Sequence, residues 1–244
     1  MGIFSRFTAA TPQDLSKFEN KVYSQNGEDG VIAEIFKRIG TKTQFAVEFG
    51  VEDGRECNTR LLKEQGWDVL QMDGGKNNPR YIKHEFITAE NINKLFKKYN
   101  VPKHFDLLCI DIDTNDFWVW KALSDIYQPR VLIIEYNASI APTESKVVAY
   151  DPNLTWDGSQ YFGGSLLAMY RLAKKKGYEL VYCDKMGVNA FFVRKDCTDN
   201  LQIKQPIDAY RGAAYGELDS NEMRTGHRPT KRKFLTIGTD LEPV

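Results

Sequence analysis

The sequence predicts an α/β fold in which helices cover both faces of one mostly parallel, seven-stranded sheet. Short apolar runs alternate with longer segments whose apolar residues recur every three or four positions, as expected of alternating strands and helices. The last two apolar runs are separated only by DKMGV, which is too short for the crossover that parallel strands require. These two runs therefore predict a terminal antiparallel hairpin.

The predicted elements follow one another along the first four fifths of the chain. Short runs rich in Val, Ile, Leu and Phe predict strands over residues 44–49, 68–72, 83–87, 105–112, 130–136, 178–183 and 189–193. Amphipathic periodicity predicts helices over residues 29–39, 57–65, 92–99, 117–126 and 165–176. Strands buried on both faces have continuous apolar runs rather than alternating ones, which supports a parallel sheet.

Composition and charge exclude several classes of protein. The 244 residues contain 33 Lys plus Arg and 33 Asp plus Glu, so the formal net charge is zero, and we expect neither a nucleic-acid nor a membrane partner. The N-terminus has no secretory signal pattern, which predicts a cytoplasmic protein. The four cysteines are scattered without metal-ligand spacing, so a zinc site or a disulfide framework is not expected.

The domain organisation follows from where the periodicity stops. We predict one α/β domain over residues 1–196, with an N-terminal helical lead-in. Residues 197–244 lack helical or strand periodicity and are polar and charged, so they are interpreted as a C-terminal arm or extension.

An acidic, glycine-containing turn follows the first predicted strand. Gly50 and Gly54 allow close approach of a ligand, while Glu48, Glu52 and Asp53 would repel a pyrophosphate. These three acids suit a cationic ligand. S-adenosylmethionine is such a ligand, because it carries a sulfonium and an ammonium group. The alternative is an ordinary strand-to-helix turn with exposed acids.

Two further positions suggest contacts to a nucleoside. Asp73 ends the second strand, 25 positions after Glu48, where an acid can bind ribose hydroxyls of either NAD or S-adenosylmethionine. Thr88, after the third strand, could border an adenine ring or cap the next helix.

The fourth strand ends in a cluster of acids. Asp111, Asp113 and Asp116 follow a buried apolar run, and such a cluster requires hydration, hydrogen bonds, a cation or partial protonation. Glu135 and Asn137 end the fifth strand. Asp111, Asp113 and Glu135 could bind Mg²⁺, or the acids could act as a metal-free general base with Asn137 as an orienting amide.

Two segments are candidates for closing the site. Gln25 precedes the first helix as a possible ligand contact, although Ser24 or Asn26 could simply cap that helix. The 27 residues 138–164 exceed a usual strand-to-helix connection. The segment contains the aromatic residues Trp156, Tyr161 and Phe162. These side chains would either line an acceptor pocket or pack the loop onto the sheet.

Over about residues 20–195 the chain resembles the FkbM-like class I S-adenosylmethionine-dependent methyltransferases. The resemblance rests on these strings in order: YSQNGEDGVI, VEFGVEDGRECNTRLL, FDLLCIDIDTNDFWVWKAL, VLIIEYNAS, YFGGSLLAMYRLAKKKGYELV and GVNAFFVRK. It implies a Rossmann-like sheet with an antiparallel final strand and methyl transfer to an oxygen or nitrogen of a small-molecule, sugar or peptide acceptor. By position, Glu48, Gly50 and Gly54 match the cofactor loop. Asp73 matches the family's ribose-binding acid, and Asp111 matches its fourth-strand residue near the transferred methyl group.

Two other functions stay open at this point. The DID string after an apolar strand is similar to the metal-binding Asp-x-Asp motif of nucleotide-sugar transferases. A non-catalytic binding module of the same fold, with the arm forming a homo-oligomer contact, is the other alternative.

Overall fold

The structure is a computed structural model that describes residues 12–76 and 78–244. Its strands are β1 (Phe45–Phe49), β2 (Asp68–Asp73), β3 (Lys83–His84), β4 (His104–Ile110), β5 (Gln128–Glu135), β6 (Lys146–Val147), β7 (Tyr178–Cys183), β8 (Asn189–Arg194) and β9 (Leu235–Thr236). Its α-helices are α1 (Glu28–Ile39), α2 (Arg60–Glu64), α3 (Ile92–Lys98), α4 (Asp116–Ala122), α5 (Leu166–Lys176) and α6 (Pro206–Ala209). Residues 1–11 of the predicted lead-in lie outside the described residues, and a short 3-10 helix, Leu15–Lys17, follows them.

The main sheet has seven strands in the order β3-β2-β1-β4-β5-β8-β7. Strands β1 to β5 of this sheet pair in parallel, whereas β8 pairs antiparallel with both β5 and β7. The predicted mostly parallel sheet and its terminal hairpin are thus confirmed. Strand β3 is shorter than predicted because the chain leaves β2 after His84, and β2 itself ends at Asp73.

Helices cover both faces of the sheet, as predicted. Alternate strand residues point to opposite faces, so Leu108 and Leu132 pack in the core formed with α3, α4 and α5. Their neighbours Leu107 and Val131 pack in the core formed with α1 and α2. None of these four side chains is exposed, which accounts for the continuous apolar runs in the sequence.

The C-terminal arm packs against the domain. Strand β9 pairs with β6, and Ile237 and Leu241 lie in the core beside α4 and α5 with 1% exposure each. The backbone carbonyls of these two residues accept hydrogen bonds from Arg171 and Lys121, each at 2.7 Å. Two apolar anchors separated by polar residues create no periodicity, so the sequence did not predict this packing.

No helix within the described residues combines the length and apolar character that a membrane crossing requires.

Candidate functional site

The candidate site lies where the strand order reverses. Strand β1 has β2 on one side and β4 on the other, and ligands of open parallel sheets bind in the crevice at such a switch point. Two cavities of about 430 and 220 Å³ open there. They share four lining residues, Gly50, Asp73, Asp113 and Trp156, so one extended ligand can occupy both.

The larger cavity is strongly acidic. Seven carboxylate side chains and no Lys or Arg are among its described lining residues; the acids are Glu48, Glu52, Glu56, Asp73, Asp111, Asp113 and Glu135. Carboxylates along the walls of one cleft reinforce each other's negative potential. The cavity therefore favours a cationic ligand and opposes a phosphate-bearing one.

Glu48 holds the loop after β1. Its carboxylate accepts hydrogen bonds from the backbone N–H of Asn58 at 2.7 Å and of Thr59 at 2.9 Å, and from the Thr59 hydroxyl. Burial raises the pKa of Glu48 despite these donors. Glu48 thus organises the turn while one side of it lines the cavity. Gly54, with φ +76° and its N–H bonded to Val51, shapes the same turn without lining the cavity.

Asp73 connects the two cavities. One carboxylate oxygen accepts from the Gly75 N–H at 2.6 Å and the Asn78 amide at 2.7 Å, and the other accepts from the Glu52 N–H at 3.0 Å. The second oxygen keeps a free lone pair for a ligand hydroxyl. Besides Asp73, the smaller cavity is lined by apolar side chains that suit a flat ring, namely those of Phe86, Ile87, Ile112, Leu154 and Trp156.

Gln25 and Thr88 were both predicted as ligand contacts, but only Gln25 lines a cavity. Gln25 and Asn26 line the larger cavity. Gly27, at φ +99°, occupies the N-cap position of α1, but the Ser24 hydroxyl accepts the N–H of Asp29 in the first turn at 3.1 Å. Thr88 lines neither cavity. It does not cap α3 either, because that helix begins after Asn91.

Three carboxylates converge between β4, α4 and β5. One oxygen each of Asp111, Asp116 and Glu135 lies within 4.8 Å of the other two. Burial, followed by repulsion from neighbouring acids, raises the pKa of Asp111 and Glu135 well above the ordinary range, and burial raises the pKa of Asp116 to about 7. Asp113 lies outside this group: the chain turns there with φ +62°, and its side chain is exposed in the wall shared by the two cavities.

The Asn137 side chain lines neither cavity and is hydrogen-bonded to the segment that follows β5. Its amide group donates to the carbonyls of Gln160 at 2.8 Å and Phe162 at 2.9 Å, and its carbonyl oxygen accepts from the Ser139 N–H at 3.0 Å. The side chain is fully buried. Asn137 therefore anchors the end of the 138–164 segment over β5.

The aromatic residues of that segment divide between the two predicted roles. Trp156 lines both cavities, with its indole N–H bonded to the Ser159 carbonyl at 2.8 Å. Tyr161 and Phe162 are buried and line neither cavity. Tyr161 instead packs against Phe234 of the arm, with ring centroids 5.1 Å apart and the ring planes tilted by 41°.

The arm contributes two site residues that the sequence did not predict. Tyr215 and His227 line the larger cavity, and the His227 ring lies 4.5 Å from Trp156 and 5.2 Å from Tyr215 between centroids. Burial lowers the pKa of His227 below its ordinary 6.5, so the imidazole is neutral at pH 7. The local signal was limited to a histidine between Gly226 and Arg228 in an otherwise polar tail.

Comparisons with known proteins complete the description of the fold. No model of a protein family matches the chain, and no curated protein matches it. Among solved structures it is similar to an S-adenosylmethionine-dependent methyltransferase from Clostridium acetobutylicum ATCC 824, with 12% identity, a TM-score of 0.37 and coverage of 67% of this chain and 89% of that one. The strand order decides the fold. It is a Rossmann-like fold in which β8 alone runs antiparallel to the other strands of the main sheet.

Two other solved structures show comparable similarity. A SAM-dependent methyltransferase from Archaeoglobus fulgidus has 12% identity and a TM-score of 0.34, over 70% of this chain and 76% of that one. The small RNA methyltransferase HEN1 has 9% identity and a TM-score of 0.36, over 71% of this chain and 26% of that one. The topology, not these low scores, supports the fold assignment.

Proposed function

We propose that the protein transfers a methyl group from S-adenosylmethionine to an oxygen or nitrogen of a small-molecule, sugar or peptide acceptor. The observation that carries this proposal is the acidic cavity at the strand switch point, joined through Asp73 to a smaller cavity with an apolar wall. A ligand with a cationic end and a nucleoside end matches that pair of cavities in charge and shape. The resemblance to FkbM-like methyltransferases supports the same donor.

The donor is proposed to span the two cavities. The adenine ring would lie against Phe86, Ile87 and Trp156, with the ribose hydroxyls at the free lone pair of Asp73. The methionyl part would lie in the larger cavity, where Gln25 and the loop after β1 form the wall. Its sulfonium and ammonium charges would be attracted by the acids there.

The acceptor would enter on the side of Trp156 and the arm. Alignment of sulfonium, methyl group and acceptor lone pair can supply roughly 7–11 kcal/mol of barrier lowering. Asp111, Asp113 and Glu135 are the candidate groups to accept the acceptor proton. Because a sulfonium is already an activated methyl donor, the transfer does not itself require a metal. Mg²⁺ at Asp111 and Glu135 would only activate an acceptor oxygen.

The nucleotide-sugar alternative is less consistent with the site. A nucleotide sugar would place the two negative charges of its diphosphate among seven carboxylates without a Lys or Arg in the described lining. Such a ligand would need metal ions to compensate the repulsion.

Calorimetric titration with S-adenosylmethionine and S-adenosylhomocysteine, in the presence of EDTA, tests the donor proposal. We expect saturable micromolar binding by the wild-type protein and at least about 10-fold weaker binding by Asp73→Asn, because one charged hydrogen bond contributes about 1.5–3 kcal/mol. Asp68→Asn is the matched control, since Asp68 is an exposed acid at the other end of β2. Absence of binding by the folded wild type would refute the proposal.

A further inference from the structure

We propose that Asp111, Asp116 and Glu135 form a binding site for a hard divalent cation such as Mg²⁺, Mn²⁺ or Ca²⁺. Asp111 follows β4, Asp116 begins α4 and Glu135 ends β5, so three ordered elements each supply one carboxylate. Oxygen ligands of this kind are the ones that hard cations take in proteins. The site is distinct from the set Asp111, Asp113 and Glu135 that the sequence suggested, and it does not depend on the methyl-transfer proposal.

The spacing of the three oxygens suits such an ion without movement of the backbone. Metal–oxygen distances of about 2.1 Å for Mg²⁺ and about 2.4 Å for Ca²⁺ place ligand oxygens roughly 3 to 4.8 Å apart. One oxygen of each of Asp111, Asp116 and Glu135 lies within 4.8 Å of the corresponding oxygens of the other two. One ion can therefore contact all three.

Two buried oxygens in this group lack a donor. Asp116 has no exposed surface; its Oδ1 accepts the Ile112 N–H at 2.9 Å, whereas Oδ2 has no hydrogen-bond partner among the described residues. Glu135 is 9% exposed, and its Oε2 likewise has no partner in the described part of the chain. An unpaired buried carboxylate oxygen is costly unless a positive charge compensates it.

Both oxygens point toward the same space. A Cβ on Gly163 would lie 3.9 Å from Asp116 Oδ2 and 4.0 Å from Glu135 Oε2. The backbone beside Gly163 is held in place by Asn137, which binds the preceding carbonyl of Phe162. The space between the carboxylates is thus bounded by ordered backbone on one side.

Two members of the group reach the larger cavity. Asp111 and Glu135 line that cavity, whereas Asp116 is fully buried and does not line it. An ion can enter from the cavity, and its remaining coordination positions would face the cavity, where water or a ligand oxygen could fill them. No Lys or Arg among the described lining residues competes for these carboxylates.

The raised pKa values of Asp111, Asp116 and Glu135 apply to the three acids when no cation is bound. Burial and repulsion favour protonation of Asp111 and Glu135, so protons can neutralise the cluster when no cation is present. Shared protons are the alternative explanation of the unpaired oxygens. Direct measurement of cation binding distinguishes the two explanations.

The test uses metal-stripped full-length protein without S-adenosylmethionine. Free Mn²⁺ is followed by electron paramagnetic resonance during titration, with Mg²⁺ and Ca²⁺ as competitors. We expect one saturable site in the wild type and more than about 10-fold weaker Mn²⁺ binding in Asp116→Asn and Glu135→Gln, because loss of even an outer-shell group weakens metal sites 10- to 100-fold. Asp113→Asn removes a nearby charge outside the group and should change the affinity less than about threefold.

The Asp116→Asn variant is chosen to keep the fold. Its side-chain carbonyl can still accept the Ile112 N–H, and the loss of a negative charge reduces repulsion, so its thermal unfolding without metal should match or exceed that of the wild type. Absence of saturable Mn²⁺ binding by the wild type at millimolar concentration would overturn the proposal. Equal weakening by Asp113→Asn and Asp116→Asn would also overturn it, because that result indicates only a diffuse acidic field. The titration with S-adenosylmethionine in EDTA tests the methyl-donor proposal separately, because no divalent cation is available in that experiment.

Discussion

The backbone of Gly50 lies directly against the carbonyl oxygen of Asp111, so that a Cβ at position 50 would be 1.3 Å from this oxygen. Gly50 also has φ +75°, a conformation that side chains of L-residues disfavour. This contact joins the end of β1 to the end of β4. It therefore fixes the distance between the acidic turn after β1 and the three-carboxylate group.

Substitution Gly50→Ala should destabilise the protein and disrupt ligand binding. The left-handed conformation and the steric overlap each cost about 1–3 kcal/mol, so we expect a loss of about 3 kcal/mol or more in the free energy of unfolding. Urea unfolding measures this loss. Gly66→Ala is the control, because Gly66 has φ +89° but open space around its would-be Cβ; equal losses in the two variants would show that the contact with Asp111 is unimportant.

The ends of the strands were predictable from the sequence because their signals are local. Apolar runs placed the strands, and an acidic or glycine residue after each run marked the edge where ligands bind. Gly50, Asp73, Asp111 and Glu135 were singled out in this way, and all four line the cavities. Their roles in binding and catalysis remain predictions.

The composition of the carboxylate group was not predictable in the same way. Asp113 is closer to the strand in sequence, but the positive φ at Asp113 and the start of α4 bring Asp116 beside Asp111 and Glu135 instead. The arm illustrates the same limit. Tyr215 and His227 reach the cavity only because distant apolar residues anchor the arm, and no local pattern encodes that contact.

Asp106 and Arg130 form a buried ion pair at the other end of the sheet. The pair has an N···O distance of 3.1 Å, and the two side chains are 0% and 8% exposed. One Asp106 oxygen also accepts the backbone N–H groups of Lys42, Thr43 and Gln44 at 2.8–2.9 Å. Burial alone would raise the pKa of Asp106, but these donors outweigh it and lower the pKa below 3.8.

Substitution Asp106→Asn should therefore lower the free energy of unfolding at pH 7 by about 3 kcal/mol, because removing one partner of a buried ion pair leaves the other uncompensated. Because the folded-state pKa lies below the unfolded one, the contribution of Asp106 is present above about pH 4 and is lost as the pH falls through the folded value. The difference between variant and wild type should shrink on acidification. Urea unfolding at several pH values measures it.

Asp125→Asn is the control for this pair. Asp125 binds Lys176 at 2.7 Å but is 82% exposed, and exposed ion pairs contribute about 0–1 kcal/mol. A pH-independent loss in Asp106→Asn would contradict the assigned charge state of Asp106.

Substitution Asn137→Ala should release the end of the 138–164 segment. It removes the Asn137 donor to the buried Phe162 carbonyl, and loss of such a buried hydrogen bond costs about 1–3 kcal/mol. It also removes one of two donors to the Gln160 carbonyl, which keeps the Phe162 N–H at 3.1 Å. We expect a lower free energy of unfolding and faster amide hydrogen exchange at residues 160–163. Asn153→Ala, an exposed asparagine in the same segment, should change neither; unchanged exchange in Asn137→Ala would exclude the anchoring role.

His227 is expected to act on the acceptor side of the proposed methyl transfer. It is the neutral nitrogen base among the described residues lining the acidic cavity, and a neutral base can take up the proton that the acceptor loses. Once an acceptor is known, His227→Phe should keep the aromatic contact with Trp156, bind S-adenosylmethionine as the wild type does and lower kcat about 100-fold.

Because burial lowers the pKa of His227, the wild-type rate should decrease on acidification only below pH 6.5, and His227→Phe should lose that dependence. His104→Ala, an exposed histidine at the opposite end of the sheet, is the control for kcat. An unaltered pH profile in His227→Phe would assign the proton transfer to the carboxylates instead.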